Sequence, residues 1–131
     1  MARILIVDDS DSFAEFARAA LAAAHEVDIA HNGREAAKLA QRCDYDLVIT
    51  DIFMPEADGL ETLRTMRHDL PHVPVIAMTG DDGDKPDYLR IAEKLGATGT
   101  IRKPFLPTAL NELVTVTLGE AARIRRSKAS H

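Results

Sequence analysis

The chain has 131 residues, 46% hydrophobic and 28% charged, with a formal net charge of −5. That length and mix fit one globular domain and exclude collagen-like, low-complexity and wholly disordered classes. One cysteine excludes an intrachain disulfide framework or a cysteine-rich zinc module, and the longest apolar run, Ala19 to Ala24, is far too short to span a bilayer.

The N-terminus has no signal-peptide layout, so a cytoplasmic protein without membrane contact is expected. Charge is uneven: Arg123, Arg125, Arg126 and Lys128 against Glu120 give residues 120–131 a net +3, leaving −8 on residues 1–119. The acidic body speaks against nucleic acid as the main partner. The basic C-terminal tail, residues 120–131, reads as a solvated terminus outside a single domain over residues 1–119.

From the N-terminus, Ile4 to Val7 is a β-branched-rich run without polar alternation, as in a strand covered on both faces. Ser12 with Glu15 predicts a capping box for a first helix, with Phe13, Phe16, Ala17, Ala20, Leu21 and Ala24 on one stripe. Val27 to Ala30 is a second strand. Asn32 with Glu35 predicts a second capping box, and Ala36, Ala37, Leu39 and Ala40 follow in its helix. Leu47 to Thr50 is a third strand, ending at Asp51. Beyond a loop with Met54-Pro55, Asp58 and Glu61 open a third helix carrying Leu60, Leu63 and Met66.

Val75 to Met78 is a fourth strand entered through Pro74, and a polar loop follows over residues 80–84. Tyr88, Ile91, Ala92 and Leu95 mark a fourth helix closed by Gly96. Gly99 to Arg102 is a short fifth strand. A fifth helix begins near Pro107, with Leu110, Leu113, Val114 and Leu118 on one side and Leu106 expected against the core.

Five successive βα units predict an α/β fold with a doubly wound, open, five-stranded parallel sheet. Ligands of such sheets bind beyond the carboxyl ends of the strands. Those ends carry Asp8 and Asp9, Asp51, Thr79, and Lys103 followed by Pro104; the second strand ends near His31 and Asn32. Taken singly, each is an ordinary turn acid, strand-end hydroxyl or surface lysine. Taken together, clustered carboxylates call for a cation between them, and an all-oxygen set suits a hard ion such as Mg²⁺. A carboxylate can also act as a nucleophile toward phosphorus, with a lysine and a threonine hydroxyl stabilising the phosphoryl oxygens.

Ile6-Val7-Asp8-Asp9, Asp51 with Met54-Pro55 and Asp58-Gly59 after it, Met78-Thr79-Gly80, and Lys103-Pro104-Phe105 together resemble the receiver domain of two-component response regulators, over residues 3–118. The resemblance implies a flavodoxin-like receiver fold with strand order 2-1-3-4-5. Asp51 would be the phosphoacceptor, served by a histidine kinase or histidine phosphotransfer protein. Asp9, Asp51 and the backbone carbonyl of Phe53 would hold Mg²⁺, with Asp8 acting largely through water. Lys103 would pair with the phosphoryl group, and Thr79 would swing toward it and remodel the face of the fourth helix, fifth strand and fifth helix. The Lys103-Pro104 bond would be cis, as in many members. The implied protein is a monomer or weak dimer whose only chemistry is its own phosphorylation and dephosphorylation, acting on a protein target that the sequence does not name.

The chain departs from the family in places. Thr100 stands three residues before Lys103, where an aromatic switch residue is common, so output is expected to depend on Thr79 and the fourth helix. Phe53 is expected to shield the phosphoryl group from water, and Asp81 lies near the mouth of the site. A phosphate sink, or a receiver belonging to a longer regulator with residues 123–131 opening a linker, remains open. A hydrolase using an aspartyl phosphate would need a second acid where Phe53 stands, and a carboxylate cluster is a poor seat for a flavin phosphate. Cys43 reads as a small buried hydrophobe. His25, His31, His68, His72 and His131 show no metal-ligand spacing, and Asp81, Asp82, Asp84 and Asp87 lack the order of a calcium loop. Nucleotide-binding glycine motifs are absent from the sequence.

Overall fold

Three aliphatic runs are buried along almost their whole length, and they form the middle of the sheet: β1 (Arg3–Val7), β3 (Leu47–Asp51) and β4 (Val75–Thr79). The more polar runs, β2 (Glu26–Ala30) and β5 (Gly99–Arg102), are only partly buried and lie at its edges. The computed structural model describes residues 1–52, 58–80 and 88–129. All pairings are parallel and the strand order is β2-β1-β3-β4-β5, the expected doubly wound arrangement.

Alternate strand residues face opposite layers. Ile4, Ile6, Leu47, Ile49, Ile76 and Met78 pack against α1 (Asp11–Leu21) and α5 (Pro107–Ala129), through Ala14, Ala17, Leu21, Leu110 and Val114. Leu5, Val7, Val48, Val75 and Ala77 pack against α2 (Gly33–Arg42), α3 (Asp58–Asp69) and α4 (Tyr88–Lys94), through Ala36, Leu63, Met66 and Ala92.

Helix ends are set by local chemistry. Asn32 caps α2, its side chain accepting the Glu35 N–H at 2.9 Å, while the Glu35 carboxylate accepts the His31 N–H at 3.1 Å. Gly96 ends α4 at φ 104°; its N–H reaches Glu93 O and the Ala97 N–H reaches Ala92 O, the two bonds of a left-handed helix stop.

Four expectations are corrected. The cap of α1 is Ser10, not Ser12: the Ser10 N–H donates to Asp8 Oδ1 at 2.9 Å, which holds Ser10 extended while its hydroxyl accepts the Phe13 N–H. The helix ends at Leu21, so Ala24 lies outside it, and Phe16 is 41% exposed. Leu106 does not pack on the core; it is 71% exposed, because its carbonyl, accepting from Ala109 and Leu110, opens α5 and leaves its side chain off the helix end. Finally, the stretch from Glu120 that reads as a solvated tail continues α5 to Ala129, since Glu, Ala, Arg and Lys dominate it and favour helix. Cys43 closes α2, half-buried against the core.

Candidate functional site

The ladder continues one residue past each relevant strand, and this fixes the site's backbone. The Asp8 N–H donates to Ala30 O at 3.0 Å, the Ile52 N–H to Met78 O at 2.9 Å, and the Lys103 N–H to Thr79 O at 2.6 Å. Val7 pairs with Thr50 and Asp51 with Met78, so Asp8 and Asp51 emerge side by side at the carboxyl edge. Thr79 pairs with Arg102, which brings Lys103 to the same edge.

The carboxylates of Asp8, Asp9 and Asp51 each offer an oxygen within 4.8 Å of the others. Asp8 is fully buried, Asp51 is 4% exposed, and Asp9 faces solvent. Lys103 Nζ bridges them, at 2.7 Å from Asp8 Oδ2 and 3.1 Å from Asp51 Oδ2. The Lys103–Pro104 bond is cis. Thr79 Oγ1 is buried without a hydrogen-bond partner among the described residues. A buried hydroxyl without a partner is costly, and an arriving oxygen ligand would satisfy it.

This donor set fits a divalent cation. Three carboxylates face one ammonium, every available donor is oxygen, and the exposed Asp9 leaves a path from solvent. Asp8, Asp9, Asp51, Thr79 and Lys103, predicted from strand ends, are thus drawn together. Phe53, with its backbone carbonyl, lies outside the described residues, as do Met54-Pro55 and the acidic run from Asp81 to Asp87. Three of the described histidines are engaged elsewhere. His31 Nε2 lies 2.8 Å from Asp11, His68 Nδ1 lies 3.0 Å from Asp69, and His25 Nδ1 accepts the Ala2 N–H at 3.1 Å.

Shifted ionisations lie at the opposite, amino end of the strands. Burial and a hydrogen bond to Asp28 push the Tyr45 phenol up. The same Asp28 carboxylate, bonded to Arg3, raises that guanidinium. Burial, then the N-terminal ammonium, lowers His25.

Reading the strand ends does not reveal Phe13, whose ring centroid lies 4.0 Å from Lys103 Nζ. Its place on the apolar stripe of α1 assigns it to the core, and nothing in its spacing from Lys103 marks the contact.

The family profile described as response regulator receiver domain matches residues 4–115. The chemotaxis protein CheY1 of Helicobacter pylori is 34% identical over 122 residues, covering 89% of this chain and 97% of that protein. The Bacillus subtilis regulatory protein PhoP, named for alkaline phosphatase synthesis, is 31% identical over 117 residues, or 88% of this chain and 48% of PhoP. The chain likewise spans less than half of several other curated relatives. Among solved structures, NtrX from Brucella abortus superposes with a TM-score of 0.93 at 25% identity, over 99% of this chain and 30% of that one. With the profile spanning most of the chain and CheY1 matching almost end to end, the chain belongs to the response regulator receiver domain family of two-component signalling.

Proposed function

We propose that this receiver is a phosphorylation switch in which Asp51 takes a phosphoryl group from the histidine of a kinase or a histidine phosphotransfer protein. The observation that carries the reading is Lys103 spanning Asp8 and Asp51 inside the three-carboxylate cluster. In the transfer, an Asp51 oxygen forms the bond to phosphorus, the donor's N–P bond breaks, and the imidazole leaves with the electron pair. Asp9, Asp51 and the backbone carbonyl of Phe53 would hold Mg²⁺, with Asp8 acting through water; the bound ion supplies charge neutralisation for the phosphoryl oxygens.

The remaining work falls to this chain's own side chains. Lys103, held between the carboxylates in the unmodified protein, exchanges part of that pairing for a phosphoryl oxygen. Thr79 donates its hydroxyl, which has no partner among the described residues, to another. That movement reaches α4, only seven residues long, and the face it shares with β5 and α5. Thr100 replaces an aromatic switch in β5, so the output runs through Thr79 and α4.

The reading includes a cytoplasmic protein, monomeric or weakly dimeric, acting on a protein target and engaging neither nucleic acid nor membrane. Its phosphorylating unit is residues 1–119, and Phe53 slows loss of the phosphate. Intact mass after acetyl phosphate tests the core of it. One phosphate is expected on the wild type, dependent on Mg²⁺ and absent in Asp51→Asn; slow decay favours a lasting signal and fast decay a sink. No adduct from acetyl phosphate or from a phosphorylated kinase overturns the reading.

A further inference from the structure

Lys103 ends in a flexible four-carbon stem, so its place between Asp8 and Asp51 needs an explanation beyond the two ion pairs. Its ammonium lies 4.0 Å from the centroid of the Phe13 ring, inside the roughly 6 Å reach of a cation–π contact. The lysine side chain is 16% exposed, so the contact is largely shielded from water.

Phe13 is itself held from several sides. Its N–H donates to Ser10 Oγ at 3.3 Å, and the Ser10 N–H donates to Asp8 Oδ1 at 2.9 Å. The ring packs edge-on against Phe105 at 5.3 Å and tilted against Phe16 at 5.7 Å. Phe105 follows Lys103 across the cis proline. The contacts close on themselves: Asp8 to Ser10, Ser10 to Phe13, Phe13 to Lys103, and Lys103 back to Asp8. The same aspartate thus starts α1 and pairs with the lysine that the helix's first turn covers.

We propose that Phe13 is a positioning residue for Lys103, holding the ammonium through the ring face so that it points at the Asp51 carboxylate during phosphoryl transfer. The role rests on Asp51 being the acceptor. A leucine at this place fills similar space but offers no negative ring face.

The test uses the full chain as wild type, Phe13→Leu and Phe13→Tyr. Phosphorylation by acetyl phosphate with Mg²⁺ is followed by intact mass, which keeps the docking of a protein donor out of the rate. Side-chain NMR reads the Lys103 ε-methylene protons. In the wild type these protons are expected upfield of other lysines through the ring current. Phe13→Leu returns them to the ordinary position and slows phosphorylation about three- to tenfold, while Phe13→Tyr restores both. A Lys103 signal unmoved in Phe13→Leu, an unchanged rate, or Phe13→Tyr as slow as Phe13→Leu overturns the role. If Phe13→Leu does not fold, the wild-type and Phe13→Tyr shifts decide, and an ordinary Lys103 position in both overturns it. An upfield lysine on a wild type that takes no phosphate from any donor overturns the acceptor reading and this role with it. That result is distinct from a variant that is slow but still phosphorylated.

Discussion

Asp8 is bonded in two directions. One oxygen receives the Ser10 N–H and so starts α1, and the other receives Lys103. Separating the two duties gives a prediction. Asp8→Asn keeps an oxygen for Ser10, whereas Asp8→Ala loses it, so the alanine variant should be the less stable by about 1 kcal/mol in denaturant unfolding. Both should slow Mg²⁺-dependent phosphorylation about 10- to 100-fold, since each removes a charge beside the proposed acceptor, Asp51. Equal stabilities would mean that the turn at Ser10 contributes nothing. The carboxylates, Thr79 and Lys103 are legible in sequence because each ends an apolar run, and a parallel sheet gathers such ends at one edge. Phe13 is not legible, because core stripe and lysine contact call for the same apolar residue.

Among the elements, strands are the most readable, since short β-branched runs between polar clusters permit little else. Helix starts are less so. Ser10 and Ser12 are both competent caps, and only the Asp8 carboxylate, oriented by β1, decides between them. Asn32 has no such rival and caps α2 as expected. Gly59 shows a constraint that spacing alone does not explain. A Cβ added there would overlap the backbone of Ile52, the residue after Asp51. Gly59→Ala is therefore expected to cost about 1–3 kcal/mol and to slow phosphorylation by shifting the backbone next to Asp51, the proposed acceptor. Gly119→Ala, with nothing near its added Cβ inside α5, should instead stabilise by about 0.5–1 kcal/mol. Chemical denaturation of the two variants checks both signs, and a neutral Gly59→Ala would contradict the close approach of α3 to the end of β3.

At the scale of the whole molecule, the two ends of the sheet are separate. The carboxyl edge holds Asp8, Asp9, Asp51, Thr79 and Lys103. At the amino edge, Glu120, Ala121, Ile124 and Arg125 of α5 line a cavity of about 230 Å³ with Pro71, His72, Pro74 and Thr98. The helical continuation is not legible because the basic, polar stretch after Gly119 reads equally well as a solvated tail. Its residues are good helix formers once α5 is nucleated against the core. Removing residues 120–131 is expected to leave the rate of phosphorylation by acetyl phosphate within about twofold of the full chain while lowering helicity by circular dichroism. A large loss of rate would mean that the amino edge is coupled to the site.

Under the proposed function, phosphate is expected on Asp51 and on no other carboxylate of the cluster. Borohydride reduces an acyl phosphate to the alcohol, which converts a phosphorylated aspartate to homoserine and marks its position for peptide mass mapping. After acetyl phosphate and Mg²⁺, homoserine at position 51 alone is the predicted result. Homoserine at position 8 or 9, or at none of the three, would contradict Asp51 as the phosphoacceptor.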